Sequence, residues 1–169
     1  MLPPLKASRI ANLEPELRAF ACERVAAFTQ GRGGDICAVL AETLPAYVVM
    51  RLLDLGDDAL EAVRRWAMMG GDFLAGRLGT AEMTHVFTES VAQYNYLSGH
   101  FDAVQARARE RRGESLTATL AGGVDEGLIT REQAIGILVI LFGAAGESTA
   151  SLLGSAIRLL AMDPSLQAQ

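Results

Sequence analysis

The chain has 169 residues, half of which are hydrophobic, and a formal net charge of −5 at pH 7. This length is enough to bury a core, so we expect a single domain over residues 1–169. The acidic balance, without any long basic run, argues against nucleic acid as the main partner.

The first third of the chain is predicted to be helical. Apolar residues recur at three-and-four spacing over residues 7–28 and again over 35–55, which is the pattern of amphipathic helices. Glycines within 31–34 separate the two segments. No strand precedes these glycines and no G-K-S/T follows them, so we interpret them as a turn and not as a phosphate-binding loop. A further helix is expected to begin near Leu60.

A segment rich in methionine and glycine follows that helix. Met68, Met69 and Phe73 lie there among three glycines. Flexible thioethers beside an aromatic ring can line an adaptable ligand pocket. The same residues are equally consistent with the end of a helix that places its methionines in the core, and both interpretations stay open.

Helical patterns continue to the end of the chain. Beyond Gly79 a long helix is predicted to run to a basic segment near Arg107, followed by a short helix over 114–120 and a loop over 122–127. No stretch alternates as a strand does. We therefore predict an all-α fold of roughly six to seven helices, packed around one long central buried helix at about residues 130–162.

That long helix is the most informative part of the sequence. Thr130 and Gln133 have the spacing of a capping box at its start, and residues 134–146 carry no charge. The uncharged run is shorter than the roughly 20 residues that a membrane span needs, and Glu147 interrupts it. We therefore expect a helix buried inside a protein that does not contact a membrane.

The cysteines and histidines do not suggest a metal site. Cys22 and Cys37 form no C-x-x-C pair, and His85 and His100 have no second ligand at metal spacing. We interpret the cysteines as free thiols in a reducing compartment. From this spacing we expect no bound metal. The N-terminal residues also do not have the layout of a signal peptide, so we expect a cytoplasmic location.

The polar step in the long helix resembles a motif of the cytochrome P450 family, the haem-thiolate monooxygenases. Residues 144–149 (AAGEST) are similar to the A/G-G-x-D/E-T-T/S motif of helix I, the family's longest helix. Glu147 takes the position of the acid, Ser148 that of the oxygen-activating hydroxyl and Thr149 the last position. Ala145 stands where the motif has glycine, and Ser148 stands where it has threonine. Residues 44–56 also resemble the helix E pattern of bacterial members.

The resemblance implies roles for residues of this helix. Glu147 and Ser148, with Thr149, take the proton-relay positions. By helical spacing Ser148 shares a face with four apolar residues, and in the family this face borders haem and substrate; these residues are Leu141, Ala144, Ala145 and Leu152. The alternative is a helix crossing, in which small residues at 143–146 allow close approach of another helix and Ser148 bonds back to a carbonyl.

The resemblance extends over nearly the whole chain but only to about helices D to I of the family. The F-x-x-G-x-x-x-C-x-G loop with the haem-ligating cysteine is not found in the sequence. The E-x-x-R match at residues 61–64 lies upstream of the helix I segment, whereas the family's lies downstream, so we interpret it as chance. The first hypothesis is a truncated relative, not catalytically competent alone and binding no haem by itself. The second is a segment of a haem-dependent monooxygenase, completed by a missing complementary segment, that hydroxylates a small apolar substrate. The third is a haem-free helical module that binds a small apolar molecule or forms a homo-oligomer.

Overall fold

A computed structural model describes residues 5–31, 33–107, 109–111 and 113–168. Within these ranges it contains helices and no strand. The helices are α1 (Ala7–Gln30), α2 (Thr43–Leu53), α3 (Leu60–Ala67), α4 (Gly70–Leu74), α5 (Thr80–Gln105), α6 (Leu116–Asp125), α7 (Arg131–Ala145) and α8 (Glu147–Met162). A π-helical turn lies at Cys37–Ala41. The predicted all-α class is confirmed.

Helices α7 and α8 form one continuous stretch of 32 residues, Arg131–Met162. Backbone hydrogen bonds cross the junction, from Gly146 N to Phe142 O at 3.1 Å and from Ala150 N to Gly146 O at 2.9 Å. The regular helical geometry is interrupted at Gly146, where ψ is −71°. Because α7 and α8 run on and α4 is a single turn, the number of helices agrees with the six to seven expected.

Helix α7 occupies the centre of the fold. It contacts α2, α3, α5 and α6 as well as α8, and its side chains Ile135, Leu138 and Phe142 are fully buried. Around it pack the largest buried side chains of the other helices, among them Phe101, Met50, Leu53, Leu97 and Leu116. The prediction of a central buried helix is thus confirmed for α7.

Helix α8 differs from that prediction. In the described structure Ala150 is the only buried residue of α8. The helix packs on the π-turn and α2 with one side, and its other side is open to solvent. Apolar composition alone predicts burial on every side, but one side of α8 is not covered by any described element.

The start of α7 is fixed by two sets of polar contacts. The predicted capping box is present, since Gln133 N donates to Thr130 Oγ1 at 3.2 Å and Thr130 N donates to Gln133 Oε1 at 2.8 Å. Arg131 donates to both carboxylate oxygens of Asp102, at 2.8 and 2.7 Å, and to Ser98 Oγ at 2.5 Å. These hydrogen bonds from Arg131 hold the pKa of Asp102 below its usual value and join α7 to α5.

The segment between α5 and α7 corrects one prediction. Gly122 and Gly123 lie inside α6, which runs to Asp125, and not in a loop. Glycine costs a helix only about 1 kcal/mol relative to alanine, and packing of α6 on α5 and α7 overrides that cost. The chain turns at Gly127, where φ is +69° and glycine is favoured.

Candidate functional site

The junction between α7 and α8 packs closely against the end of α3. A Cβ atom built on Gly146 would lie 2.5 Å from Ala67 Cβ and 2.6 Å from Ala67 O. Gly146 is buried, so the two helices meet here with no room for a side chain. This contact is the helix crossing that the small residues suggested, although Gly146 makes it and Gly143 does not, since a Cβ on Gly143 would meet nothing within 4 Å.

Glu147 points towards the packed side of α8. Its carboxylate lies so close to Gly71 that a Cβ on that glycine would overlap it, and Gly70 is next to it. The side chain is half-buried. It lies beside a hollow that Ser151 and Arg158 of the same helix also line. The predicted acid therefore faces the junction of α3 and α4.

Ser148 lies on the open side of α8. Successive residues of a helix are about 100° apart, and Ser148 is exposed where Glu147 is not. Its hydroxyl donates to Ala144 O at 3.1 Å, which is the bond back to a carbonyl that the sequence suggested as an alternative to a relay. Thr149 is exposed as well. The structure thus places the acid and the hydroxyl on different faces of one helix.

One continuous surface of α7 and α8 is apolar and open to solvent. We call it the open face, and its members recur at helical spacing: Ile140, Ala144, Ser148, Leu152 and Leu159. The exposed fractions of Ile140, Leu152 and Leu159 are 70, 69 and 59%. The predicted haem-facing set therefore divides, because Ala144 and Leu152 belong to this face while Leu141 and Ala145 are partly buried against the core.

The stretch that carries the open face also has the length and composition of a membrane-spanning helix. By length and composition alone, Arg131–Met162 is apolar enough to cross a membrane, and 22% of its most apolar window is buried in the structure. One such helix is weak evidence, since central helices of proteins outside membranes have the same composition.

A cavity of about 280 Å³ opens beside the open face. It lies between the end of α3, α4, α5 and α7, and its walls are mainly aromatic and aliphatic, with Trp66, Met69, Phe73, Phe87 and Val139 among them. Gly143 forms part of its wall. Of the residues proposed as a pocket from sequence, Met69 and Phe73 line this cavity. Met68 lies outside it and lines two neighbouring hollows.

Two polar side chains line the same cavity. Ser90 donates its hydroxyl to Val86 O at 2.8 Å. Gln93 is buried, with an exposed fraction of 4%. Gln93 was not among the residues predicted from the sequence, although a signal existed: with Leu97, Phe101 and Val104 it forms the buried row of α5 at three-and-four spacing.

The open face combines small and apolar side chains. Ala144 and Ser148 leave space on the open face for a flat, apolar group, and Leu152 offers an apolar surface next to them. In the part of the chain that the structure describes, no cluster of three metal-binding side chains occurs. A Cβ built on Gly154 would lie 3.3 Å from Cys37 Sγ, which places this thiol on the packed side of α8, and Cys22 is exposed on α1, so neither thiol lies on the open face.

Comparison with known proteins identifies the relationship. Cytochrome P450 144 of Mycobacterium tuberculosis is 32% identical over 131 residues, which are 77% of this chain and 29% of that protein. The chain is homologous to part of a cytochrome P450. The mycinamicin IV hydroxylase/epoxidase of Micromonospora griseorubida is 26% identical over 166 residues, 96% of this chain and 39% of the relative. No family model matches the chain.

Solved structures give the same result for the fold. The chain superposes on cytochrome P450 CREJ in complex with (4-ethylphenyl) dihydrogen phosphate with a TM-score of 0.83 at 24% identity, covering 96% of this chain and 40% of that one. CalO2 matches with a TM-score of 0.81 at 26% identity over the same shares. The chain thus spans about 30 to 40% of the length of the P450 proteins it matches.

Proposed function

We propose that this chain forms the substrate side of a haem-dependent monooxygenase of the bacterial P450 type, with α7 and α8 as helix I. The observation that carries the proposal is the open face, an apolar helix surface with one hydroxyl at its centre and no described element over it. In the proposed complete protein, this face borders the haem and the adjoining cavity holds a small apolar substrate. Haem supplies the oxygen activation needed to hydroxylate the substrate.

Each residue then has a defined task. Leu152 and Ala144 bound the space beside the haem and exclude water from it. The Ser148 hydroxyl, which donates to Ala144 O at 3.1 Å, rotates to pass a proton towards the reacting group. Glu147, half-buried beside the hollow that Ser151 and Arg158 line, and the exposed Thr149 take the other relay positions, and because Glu147 and Ser148 lie on different faces, a proton passing between them would travel through water. General acid groups of this kind act through a hydrogen bond or one water.

We also propose that the 169 residues do not perform this reaction alone. The support is geometric: Cys37 and Cys22, the two thiols of the chain, do not lie on the open face, whereas the family binds haem iron through a cysteine thiolate. A further polypeptide segment would supply that ligand and cover the open face. A cytoplasmic location belongs to the same proposal, and its support is the similarity to bacterial P450 proteins.

A haem titration tests this proposal. Haem is added to the purified chain, and absorption spectra are recorded before and after reduction and addition of carbon monoxide. We expect only weak, non-stoichiometric binding without a thiolate-type band. A stoichiometric thiolate-type band would contradict the proposal. The variants Cys22→Ser and Cys37→Ser would then show which sulfur is the ligand.

Self-association is a second candidate function, favoured by the size of the open face. Three large apolar side chains, Ile140, Leu152 and Leu159, are more than half exposed on it. Contiguous apolar surface of this kind is uncommon on monomers and marks contact sites. Without a covering segment, two copies of the chain would bury their open faces against each other.

A further inference from the structure

The side chain of Gln93 occupies an unusual position for a polar residue. It lies in the buried row of α5 with Leu97, Phe101 and Val104, all of which have no exposed surface. Gln93 itself is 4% exposed. Buried amides are nearly always hydrogen-bonded, because leaving such a group without a partner costs free energy. The hydrogen bonds of the described residues include none to the Gln93 amide, and its oxygen and nitrogen are not among the enclosed side-chain atoms that lack a partner, so the amide is accessible from the cavity.

The surroundings of Gln93 explain where its partner would come from. Gln93 lines the cavity of about 280 Å³ together with the apolar side chains of Trp66, Met69 and Phe73. The other polar group, Ser90, already donates to Val86 O. The Gln93 amide is therefore a polar group without a partner among the described residues, in an otherwise apolar wall. Binding sites for small molecules commonly have this composition, a few polar groups in an apolar cavity that fix the ligand's orientation.

We propose that Gln93 determines which ligand the cavity accepts, by pairing its amide with one hydroxyl or carbonyl oxygen of an otherwise apolar molecule. This inference rests on the proposed function, in which the cavity holds the substrate. The amide has two N–H donors and one carbonyl acceptor. A hydroxyl can therefore pair with it in either orientation of the amide. A ligand without the oxygen leaves the amide unpaired inside the cavity and binds more weakly than its size predicts.

The experiment uses two probes of the same shape, 1-adamantanol and 1-methyladamantane, with the full 169-residue chain. Trp66 is the only tryptophan in the sequence and lines the cavity, so its fluorescence reports occupancy. We expect Gln93→Leu to weaken binding of 1-adamantanol by about 3- to 10-fold, the range of one net hydrogen bond. Binding of 1-methyladamantane stays unchanged or becomes tighter. The matched control is Gln30→Leu, because Gln30 is exposed at the end of α1. This variant leaves the dissociation constants of both probes unchanged.

The possible outcomes separate this inference from the proposed function. If both probes bind the wild type and Gln93→Leu changes both constants by the same factor, Gln93 has no role in selection and the inference is wrong. If neither probe binds the wild type, the proposed substrate cavity itself is wrong, and the role of Gln93 with it. Gln93→Met, which is unbranched and close in length to glutamine, gives the same comparison if the leucine variant does not fold.

Discussion

Gly146 and Ala67 are in direct contact, and the space between them admits no methyl group. A Cβ on Gly146 would lie 2.5 Å from Ala67 Cβ and 2.6 Å from Ala67 O. This contact brings the α7–α8 junction against the end of α3. It also sets the rotation of α8, so that Glu147 meets Gly71 on the packed side while Ser148 is exposed on the other. The glycine at position 146 therefore helps to determine that Glu147, and not Ser148, faces the packed side.

Replacing Gly146 with alanine is expected to destabilise the fold. The added methyl group overlaps backbone atoms of Ala67, which cannot move aside as a flexible side chain can, and overpacking of this kind costs about 1–3 kcal/mol. Urea unfolding measures the change. The control is Gly136→Ala in α7, where a Cβ meets nothing within 4 Å and the gain in helix propensity is up to about 1 kcal/mol. Equal stability changes for the two variants would show that the contact with Ala67 is not tight.

Two glycines of α7, one in the cavity wall and one outside it, allow a second comparison. Gly143 lines the cavity and Gly136 does not, although both lie in α7 and a Cβ on either would meet nothing within 4 Å. We expect Gly143→Leu to fill part of the cavity and weaken binding of 1-adamantanol at least about 10-fold, since a leucine side chain occupies the volume that the ligand needs. Gly136→Leu should bind as the wild type does, measured through Trp66 fluorescence. Unchanged binding in Gly143→Leu would place the ligand elsewhere.

Much of the fold could be predicted from helical periodicity, because most of these helices bury one side. The capping box at Thr130 and Gln133 predicted the start of α7 correctly. The end of α6 was missed because Gly122 and Gly123 suggested a loop, and only tertiary contacts decide that a glycine pair stays helical. Burial of α8 was overestimated because composition cannot tell whether an apolar residue such as Leu152 has a partner.

The candidate site was predicted less completely than the fold. Residue types in the motif pointed to Glu147 and Ser148, and these stay predictions. Their placement on different faces follows from helical geometry, but which of the two faces the core depends on the packing of Gly146 on Ala67, which no local pattern contains. Gln93 was missed because a glutamine between apolar residues of a long helix is usually at the surface, and its burial depends on the cavity that distant helices form.

A pH dependence is expected from the end of α2. His100 Nε2 and Thr117 Oγ1 each lie 3.0 Å from Leu53 O, and because the carbonyl can only accept, the ring must carry its proton on Nε2. Burial lowers the pKa of His100; the Leu53 carbonyl and Asp54 act in the opposite direction, and Arg107 lowers it further. The unfolded chain then binds more protons than the folded one once the pH falls below about 6.5. The contribution of neutral His100 to the free energy of unfolding is therefore fully present above that pH. It is lost as the pH falls through the pKa of His100 in the folded chain.

Urea unfolding from about pH 7.5 to about pH 5.5 measures this effect over the range in which histidines titrate. The wild type should lose more stability than His100→Gln over this interval, because glutamine does not titrate. A His100→Gln variant with the wild-type slope would assign the effect to other groups.

The open face predicts association that depends on its apolar side chains. Leu152 and Leu159 are exposed by 69 and 59% on this face. If the face is uncovered in solution, its burial against a second copy is favourable by roughly 25 cal/mol for each Å² of apolar surface removed from water. Sedimentation over a range of concentrations should show mass rising with concentration for the wild type. The double variant Leu152→Glu, Leu159→Glu should remain monomeric, because association would bury unpaired carboxylates.

Leu128 is 74% exposed in the turn before α7, so Leu128→Glu adds an acid outside the open face and should associate as the wild type does. Association that survives the double variant would mean that another surface joins the copies, and the open face would then be free for the covering segment that the monooxygenase proposal requires.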